Sequence, residues 1–302
     1  MGTMTRAQFS KLLQEGLNTV FGLEYKQHPE EWRGCFDTES SKKAFEEDQL
    51  VTGFGAAGVK AEGSGVMFDD AHQGWTARYT HETIALAFAI TQEAIEDNLY
   101  MSMGSKYAKA LARSMQHTKE IKGADIFNRA ITGGYEGGDG ETLLSVAHPL
   151  INGQVQKNML DTAADFSESA LEDLLIMMRK TVDDRGIPLA LKATNIIIPP
   201  DLEYVAHRIL RTKLRPGTAD NDANAIKDKG IFGADPTVVT RLTSPSNWYI
   251  KTDINDGLKH FERVALKRTM DTEFESGNYR YQVRSRYSFG HTDFRGLFGS
   301  AA

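Results

Sequence analysis

The feature that most constrains this chain is a run near its C-terminal end in which two chemistries alternate residue by residue. Tyr279, Tyr281, Val283, Ser285 and Tyr287 fall on one face of an extended chain, and Arg280, Gln282, Arg284 and Arg286 on the other. Strand side chains alternate with period 2, so the two sets separate cleanly. A strand with this many guanidinium groups cannot be buried on both faces. One face must pack inward while the other meets phosphates, carboxylates or a neighbouring subunit, since the arginine fork suits each of these acceptors. The segment points to assembly or polyanion contact before it points to catalysis.

The rest of the chain mixes helices and strands without βαβ order. Residues 5–24 carry Phe9, Leu12, Leu13, Leu17, Val20 and Phe21 at three- and four-residue steps, which predicts an amphipathic helix. Residues 25–48 are polar and acidic and read as an extended arm with short helical turns rather than a packed unit. Over 49–90, glycines at 53, 55, 58, 63, 65 and 74 interrupt short runs before an unbroken alternation from Trp75, predicting a long two-stranded ribbon with a glycine-rich tip. Such a ribbon is marginal alone in water and needs a partner surface, so it is a candidate for reaching another subunit.

Thr91 is a candidate N-cap, with Glu93 and Glu96 in the first turns and Gly104 as a break. A helix over 105–131 then follows, with Ala108, Leu111, Ala112 and Met115 on its apolar stripe and Gly133-Gly134 at its end. Residues 133–158 read as a flexible glycine-rich loop. Ser167 caps a further helix bearing Leu171, Leu174, Leu175 and Met178. A buried strand is expected over 193–198 and a helix from Asp201 through Leu214. Strands are expected over 238–242, 248–252, 261–266, 272–274 and 279–287. This pattern is α+β rather than α/β.

Composition removes several function classes. A net charge of −6 speaks against a dedicated nucleic-acid-binding domain, which usually has a high pI, and leaves room only for local basic stripes. Cys35 is the only cysteine, so neither an intrachain disulfide nor a cysteine-based zinc site can form, which suits a reducing, cytoplasmic setting. No apolar run approaches the roughly 18 residues that span a bilayer, and the first 21 residues lack a signal-peptide core.

The motifs of chemistry fail on context. Gly53-Phe54-Gly55-Ala56-Ala57-Gly58 spells the dinucleotide fingerprint, but the glycine- and serine-bearing stretch that follows cannot open the helix the pyrophosphate requires. Asp220, Asp222 and Asn224 begin like a calcium loop, yet Ala225 and Ile231 stand where glycine and a bidentate glutamate belong. The glycine-rich 133–140 stretch lacks the Lys-Ser/Thr pair of a phosphate loop, and no HExxH or Gly-x-Ser-x-Gly pattern occurs. No cofactor and no metal are expected. Lys106, Lys109, Arg113 and His117 form a basic stripe that either is a solvated helix face or meets packaged polyanion. Arg280, Arg284 and Arg286 divide between intersubunit ion pairs and nucleic-acid contact, and Trp75 and Arg78 on the ribbon join these intersubunit or DNA-facing candidates.

Taken in chain order, an arm, a ribbon, a long helix and the stretches Asp139-Gly140…His148-Pro149, Val182-Asp183-Asp184-Arg185-Gly186-Ile187-Pro188, Ile196-Ile197-Ile198-Pro199-Pro200-Asp201-Leu202 and Arg286-Tyr287-Ser288-Phe289-Gly290…Asp293-Phe294-Arg295-Gly296 resemble the major capsid proteins of tailed bacteriophages over essentially the whole chain. The resemblance implies that family's fold: an N-terminal arm (1–48), an extended β-hairpin loop (49–90), a peripheral domain with a long spine helix (91–132 and 257–302) and an axial domain (133–256). It implies self-assembly through pentamers and hexamers into an icosahedral head around double-stranded DNA, in a virion assembled in the host cytoplasm. Scaffolding, portal and decoration proteins are the implied further partners, with no membrane and no enzymatic role. A nanocompartment shell of the encapsulin kind is the alternative on the same fold.

Overall fold

The computed structural model describes residues 6–91, 93–94, 100–214, 223–273 and 275–301. Its first half contains α1 (Arg6–Gln27), β1 (Asp37–Ser40), β2 (Phe45–Val51), β3 (Gln73–Thr80), β4 (Glu82–Ile90), α2 (Tyr100–Asn128), β5 (His148–Pro149) and β6 (Val155–Gln156). The second half contains α3 (Glu168–Arg179), β7 (Ala193–Ile198), α4 (Glu203–Arg211), α5 (Ala225–Asp228), β8 (Thr237–Val238), β9 (Trp248–Thr252), β10 (Leu258–Thr272), β11 (Tyr279–His291) and β12 (Leu297–Ser300). Two four-stranded sheets result, ordered β1-β10-β11-β4 and β12-β9-β7-β8, together with a separate β2–β3 hairpin. Helix and sheet are mixed without βαβ order, as an α+β chain requires.

The first sheet forms as the alternation in β11 dictates. Tyr281, Val283, Ser285 and Tyr287 are buried while Arg280, Gln282 and Arg284 are exposed. Tyr281 and Val283 pack against Ala108, Leu111, Ala112 and Met115 of α2, and Leu17 and Phe21 of α1 complete the cluster. Burying each large apolar side chain contributes roughly 1.5–3 kcal/mol, so this cluster is sufficient to hold α1 and α2 on the sheet. The second sheet has its own core. Ser167 caps α3 by accepting from the Ala170 amide, and Leu171, Leu174 and Met178 then pack against Ile196 and Ile198 of β7 and Trp248 and Ile250 of β9. A third cluster, including Phe36, Phe127, Leu144, Tyr249 and Leu297, joins the C-terminal end of α2 to the second sheet.

Several expectations are corrected. Residues 25–48 are not merely an extended arm: Trp32, Cys35 and Phe36 are buried in that third cluster. The backbone amides of Glu31 and Trp32 also donate to the two oxygens of Glu120, both at 3.0 Å. The apolar residues that do this are few, so the acidic residues around them masked the signal. The ribbon is shorter than 49–90, because β2 pairs only with β3. The chain turns at His81, whose ring bridges Ser288 and Ser41, and β4 leaves the hairpin to pair with β11.

Gly104 does not break the helix, since α2 runs through it. A Cβ there would lie 3.3 Å from Ile90 and 3.5 Å from Leu17, so the glycine serves close packing. The Ala94 amide reaches the Thr91 hydroxyl at 3.3 Å, while Glu96 lies outside the described residues. The strands expected at 261–266 and 272–274 are one strand, β10, held across register shifts by β11; residue 274 lies outside the described residues. The helix expected from Asp201 is a 3-10 turn (Pro200–Leu202) followed by α4, which stops at Arg211. Asp220 and Asp222 lie outside the described residues, and Asn224 caps α5 through the amides of Ile226 and Lys227. The last strand, β12, pairs with β9, so the segment from 257 onward serves both sheets.

Candidate functional site

The basic residues singled out in the sequence fall on two surfaces. Lys106, Lys109, Arg113 and His117 are all exposed on α2, on the side away from its buried stripe. Arg113 is partly engaged, its Nε donating to Glu24 at 2.8 Å, and this bond holds the Glu24 carboxyl below its usual range. Arg280 and Arg284 project from the opposite face of the first sheet. Arg280 pairs with Glu273, whereas Arg284 has no ion pair or hydrogen bond among the described residues. Arg286 is half-buried, donates weakly to the Ala44 carbonyl at 3.4 Å and keeps its Nε without a partner. Helix stripe and arginine face therefore lie on opposite sides of one helix-on-sheet layer, and a single flat partner cannot cover both.

The hairpin residues are placed differently. Trp75 is tied to its own chain: Nε1 donates to the Thr292 carbonyl at 3.0 Å, and the ring lies 6.1 Å from Phe294. Arg78 is exposed, with its guanidinium 4.0 Å above the Phe45 ring and 3.9 Å from Glu47. The hairpin root is fastened by Lys259, which is 7 % exposed and meets Asp48 at 2.5 Å, Asp256 at 2.6 Å and Glu39 at 3.4 Å. Burial opposes the charge on Lys259, but the hydrogen bonds it donates to Asp256 and Asp48 outweigh it and raise its pKa. Such a fully paired buried cation is costly to break on one side.

Sequence reasoning missed the most elaborate polar arrangement. His148, fully buried, meets Asp139 through Nδ1 at 2.6 Å and Asn158 through Nε2 at 3.2 Å, and stacks on Phe294 at 3.8 Å. Asn158 Nδ2 donates to the carbonyls of Leu143, Phe294 and Leu297, at 2.7, 3.1 and 3.0 Å. Next to it Arg295, 2 % exposed, reaches Asp184 at 3.1 Å, Asp293 at 3.2 Å and Gln156 at 3.2 Å. The short stretches around 139–149, 182–188 and 293–296 thus meet in one buried knot. A His–Asp pair can serve a nucleophile, but here the second ring nitrogen faces an amide oxygen and the group is closed to solvent. The arrangement fixes loops. Among the described residues no group of three His, Cys, Asp or Glu side chains sits together to hold a metal.

A second buried group lies between α2 and the first sheet. The His260 ring sits 4.4 Å from Trp32 and 4.6 Å from Phe289, with neither nitrogen hydrogen-bonded, and burial pushes its pKa down to about 3. Lys119 holds its ammonium 4.1 Å above the Trp32 ring and is lowered by burial. Burial also raises Glu120 to about 7.

Among the described residues a sheet edge and the hairpin tip are left uncovered. Strand β4 is an edge of its sheet, and Leu86 on it is 45 % exposed. The hairpin tip, residues 52–72, has no regular structure and exposes Phe54, Val59, Val66, Met67 and Phe68. Exposed contiguous apolar surface of this kind marks an interaction site. No described helix is long and apolar enough to cross a membrane.

Comparison with known proteins bears on the family and the fold. The family profile described as "Phage capsid protein" matches residues 76–299. No curated protein sequence matches the chain. Among solved structures, a virus-like particle from Pyrococcus furiosus is similar at TM-score 0.54 and 10% identity, over 95% of this chain and 98% of the other. The procapsid of bacteriophage JBD30 gives 0.53 and 15%, over 99% and 76%. The holo-SrpI encapsulin complex from Synechococcus elongatus PCC 7942 gives 0.51 and 10%, over 90% and 86%. At these identities the structures speak for the fold.

Proposed function

The chain belongs to the phage capsid protein family, and we propose that it is the major capsid protein of a tailed phage, assembling through pentamers and hexamers into an icosahedral head around double-stranded DNA. The observation that carries this reading is the match of that family over 76–299, on a chain that leaves a sheet edge and an apolar hairpin tip uncovered. A closed shell needs extended, shared contacts, each weak and many in number. The role is structural rather than enzymatic.

Within this reading α2 is the spine helix of a peripheral domain formed by 91–132 and 257–302, residues 133–256 are the axial domain, and the extended hairpin loop is 45–80, with β4 joining the peripheral sheet and residues 14–36 packed on the body rather than free as an arm. The two basic faces take separate tasks. Lys106 and Lys109 suit packaged DNA, where point charges without fork geometry suffice, and Arg113 beside them is partly spent on Glu24. Arg284 and Arg286 suit a neighbour's carboxylates. Trp75 seats the hairpin and Arg78 is left for a neighbour. Assembly in the host cytoplasm, with scaffolding, portal and decoration proteins, completes the proposal.

Electron microscopy of the purified protein tests it: closed shells are expected, and a monodisperse monomer at high concentration would overturn it. Arg284→Glu should lower particle yield at least tenfold while leaving the subunit's thermal unfolding unchanged. A second reading, an encapsulin-like nanocompartment, is favoured by the likeness to the Synechococcus complex. Nuclease-protected double-stranded DNA inside particles from infected cells supports the phage head, whereas enclosed protein cargo supports the compartment.

A further inference from the structure

The second sheet carries a groove of about 740 Å³ between α3 and α5. Its floor is apolar, made by Leu175, Ile176, Met178, Ile226 and Ile231, and Ile176 is 52 % exposed. Its rim carries Arg179, Lys180, Lys192 and Lys229 against one acid, Glu172. None of these four cations forms an ion pair among the described residues. An apolar floor inside an unpaired cationic rim fits a segment with apolar anchors followed by carboxylates.

This chain contains such a segment. Val66, Met67 and Phe68 stand 69 %, 81 % and 97 % exposed and are followed at once by Asp69 and Asp70. Arg185 holds the segment's base, donating to Asp69 at 2.7 Å and to the Asp70 carbonyl at 2.8 Å. Its three apolar side chains are thereby left facing solvent, outside their own groove. We infer that residues 66–70 of a second copy occupy the groove, with Val66, Met67 and Phe68 against the floor and the Asp70 carboxylate at the rim. Charge complementarity selects this occupant: four cations with one acid on one side, and on the other the Asp70 carboxylate, which is left without a cation because Arg185 is spent on Asp69. Because tip and groove are different surfaces, the contact is head-to-tail and generates rings or lattices rather than closed pairs. This inference rests on the shell reading and names which surface the hairpin tip meets.

The test is disulfide trapping between two singly substituted chains. Phe68→Cys and Ile176→Cys chains are co-expressed, assembled and oxidised, with Phe68→Cys and Tyr107→Cys as the control pair; native Cys35 is buried and does not compete. A band at twice the subunit mass on a non-reducing gel, at least tenfold stronger for the 68/176 pair than for the 68/107 pair, is the expected result. Particles that form normally but give no 68/176 band, or equal bands for both pairs, overturn the inference and leave the shell reading standing. If the unsubstituted chain forms no particle, the shell reading fails and the contact fails with it. As a second measurement, Lys180→Glu/Lys229→Glu should lower particle yield at least tenfold with unchanged subunit unfolding. Unchanged yield counts against the rim.

Discussion

The hairpin tip (52–72) and the stretch after α2 (133–158) look alike in sequence: both are dense in glycine and neither carries a periodic apolar pattern. In the folded chain they are held differently, although 133–158 also exposes Tyr135, Val146, Ile151 and Val155. The tip keeps five large apolar side chains in solvent. The second stretch buries Leu143, Leu144, His148 and Asn158 and fixes its backbone with side-chain hydrogen bonds. Glycine content is therefore not what makes a segment open. At 133–158 it permits close approach: a Cβ on Gly138 would fall 2.6 Å from Trp75, and one on Gly137 2.9 Å from His291. At the tip, Gly53 and Gly65 have nothing within 4 Å.

The contrast can be broken by substitution. Asn158→Ala should be the most damaging change, because it strips three buried carbonyls and the Ser145 amide of one partner. Each unsatisfied group costs about 1–3 kcal/mol, so a loss of about 4 kcal/mol is expected in urea denaturation of the subunit. A loss below about 1 kcal/mol would mean that the knot does not hold this stretch. Gly138→Ala should cost about 2 kcal/mol by overpacking against Trp75 and should change its fluorescence. Gly65→Ala at the tip should stay within about 0.5 kcal/mol of the parent. Equal effects for these two glycines would erase the distinction.

Acid should act on the packed body and spare the tip. His260 is held neutral, with its pKa depressed from 6.5 to about 3. The unfolded chain therefore binds the extra proton first, and the stability present above pH 6.5 is lost as pH falls toward about 3. At pH 5 the loss is about 2 kcal/mol, from 1.4 kcal/mol per pH unit. Glu120, raised to about 7, works in the opposite sense: its protonated form is favoured in the fold, so this contribution grows as pH falls from about 7 toward 4.5. The two are separated by His260→Phe, which keeps a ring between Trp32 and Phe289 and should remove about 2 kcal/mol of the acid loss between pH 7.5 and 5. An unchanged pH dependence in that variant would show that the ring does not set it.

Much of the fold was legible because burial and local geometry agreed. The alternation in β11, the Ser167 cap with the apolar stripe of α3, and the strand Ala193–Ile198 all required only short-range periodicity. Where reading failed, the determining partner was distant. Trp32, Cys35 and Phe36 are three apolar residues among acids, and what buries them is α2, β10 and β11, far along the chain. Gly104 looks like a break until Ile90 and Leu17 are placed against it. The basic residues were visible as charges, but only the packing of α2 on β11 puts them on opposite sides of a layer.

The α+β class, the one-sided character of β11 and the identity of the charged surfaces follow from periodicity and side-chain chemistry alone. That residues 139, 148, 158, 184, 293 and 295 share one buried knot, and that one glycine-rich segment is anchored to the body while the other is open, emerges from the folded arrangement of distant segments. The reason is physical. A buried polar group is tolerated only when its partners are in place, and those partners lie more than 100 residues apart for Asn158 with Phe294 and Leu297 and for Arg295 with Asp184.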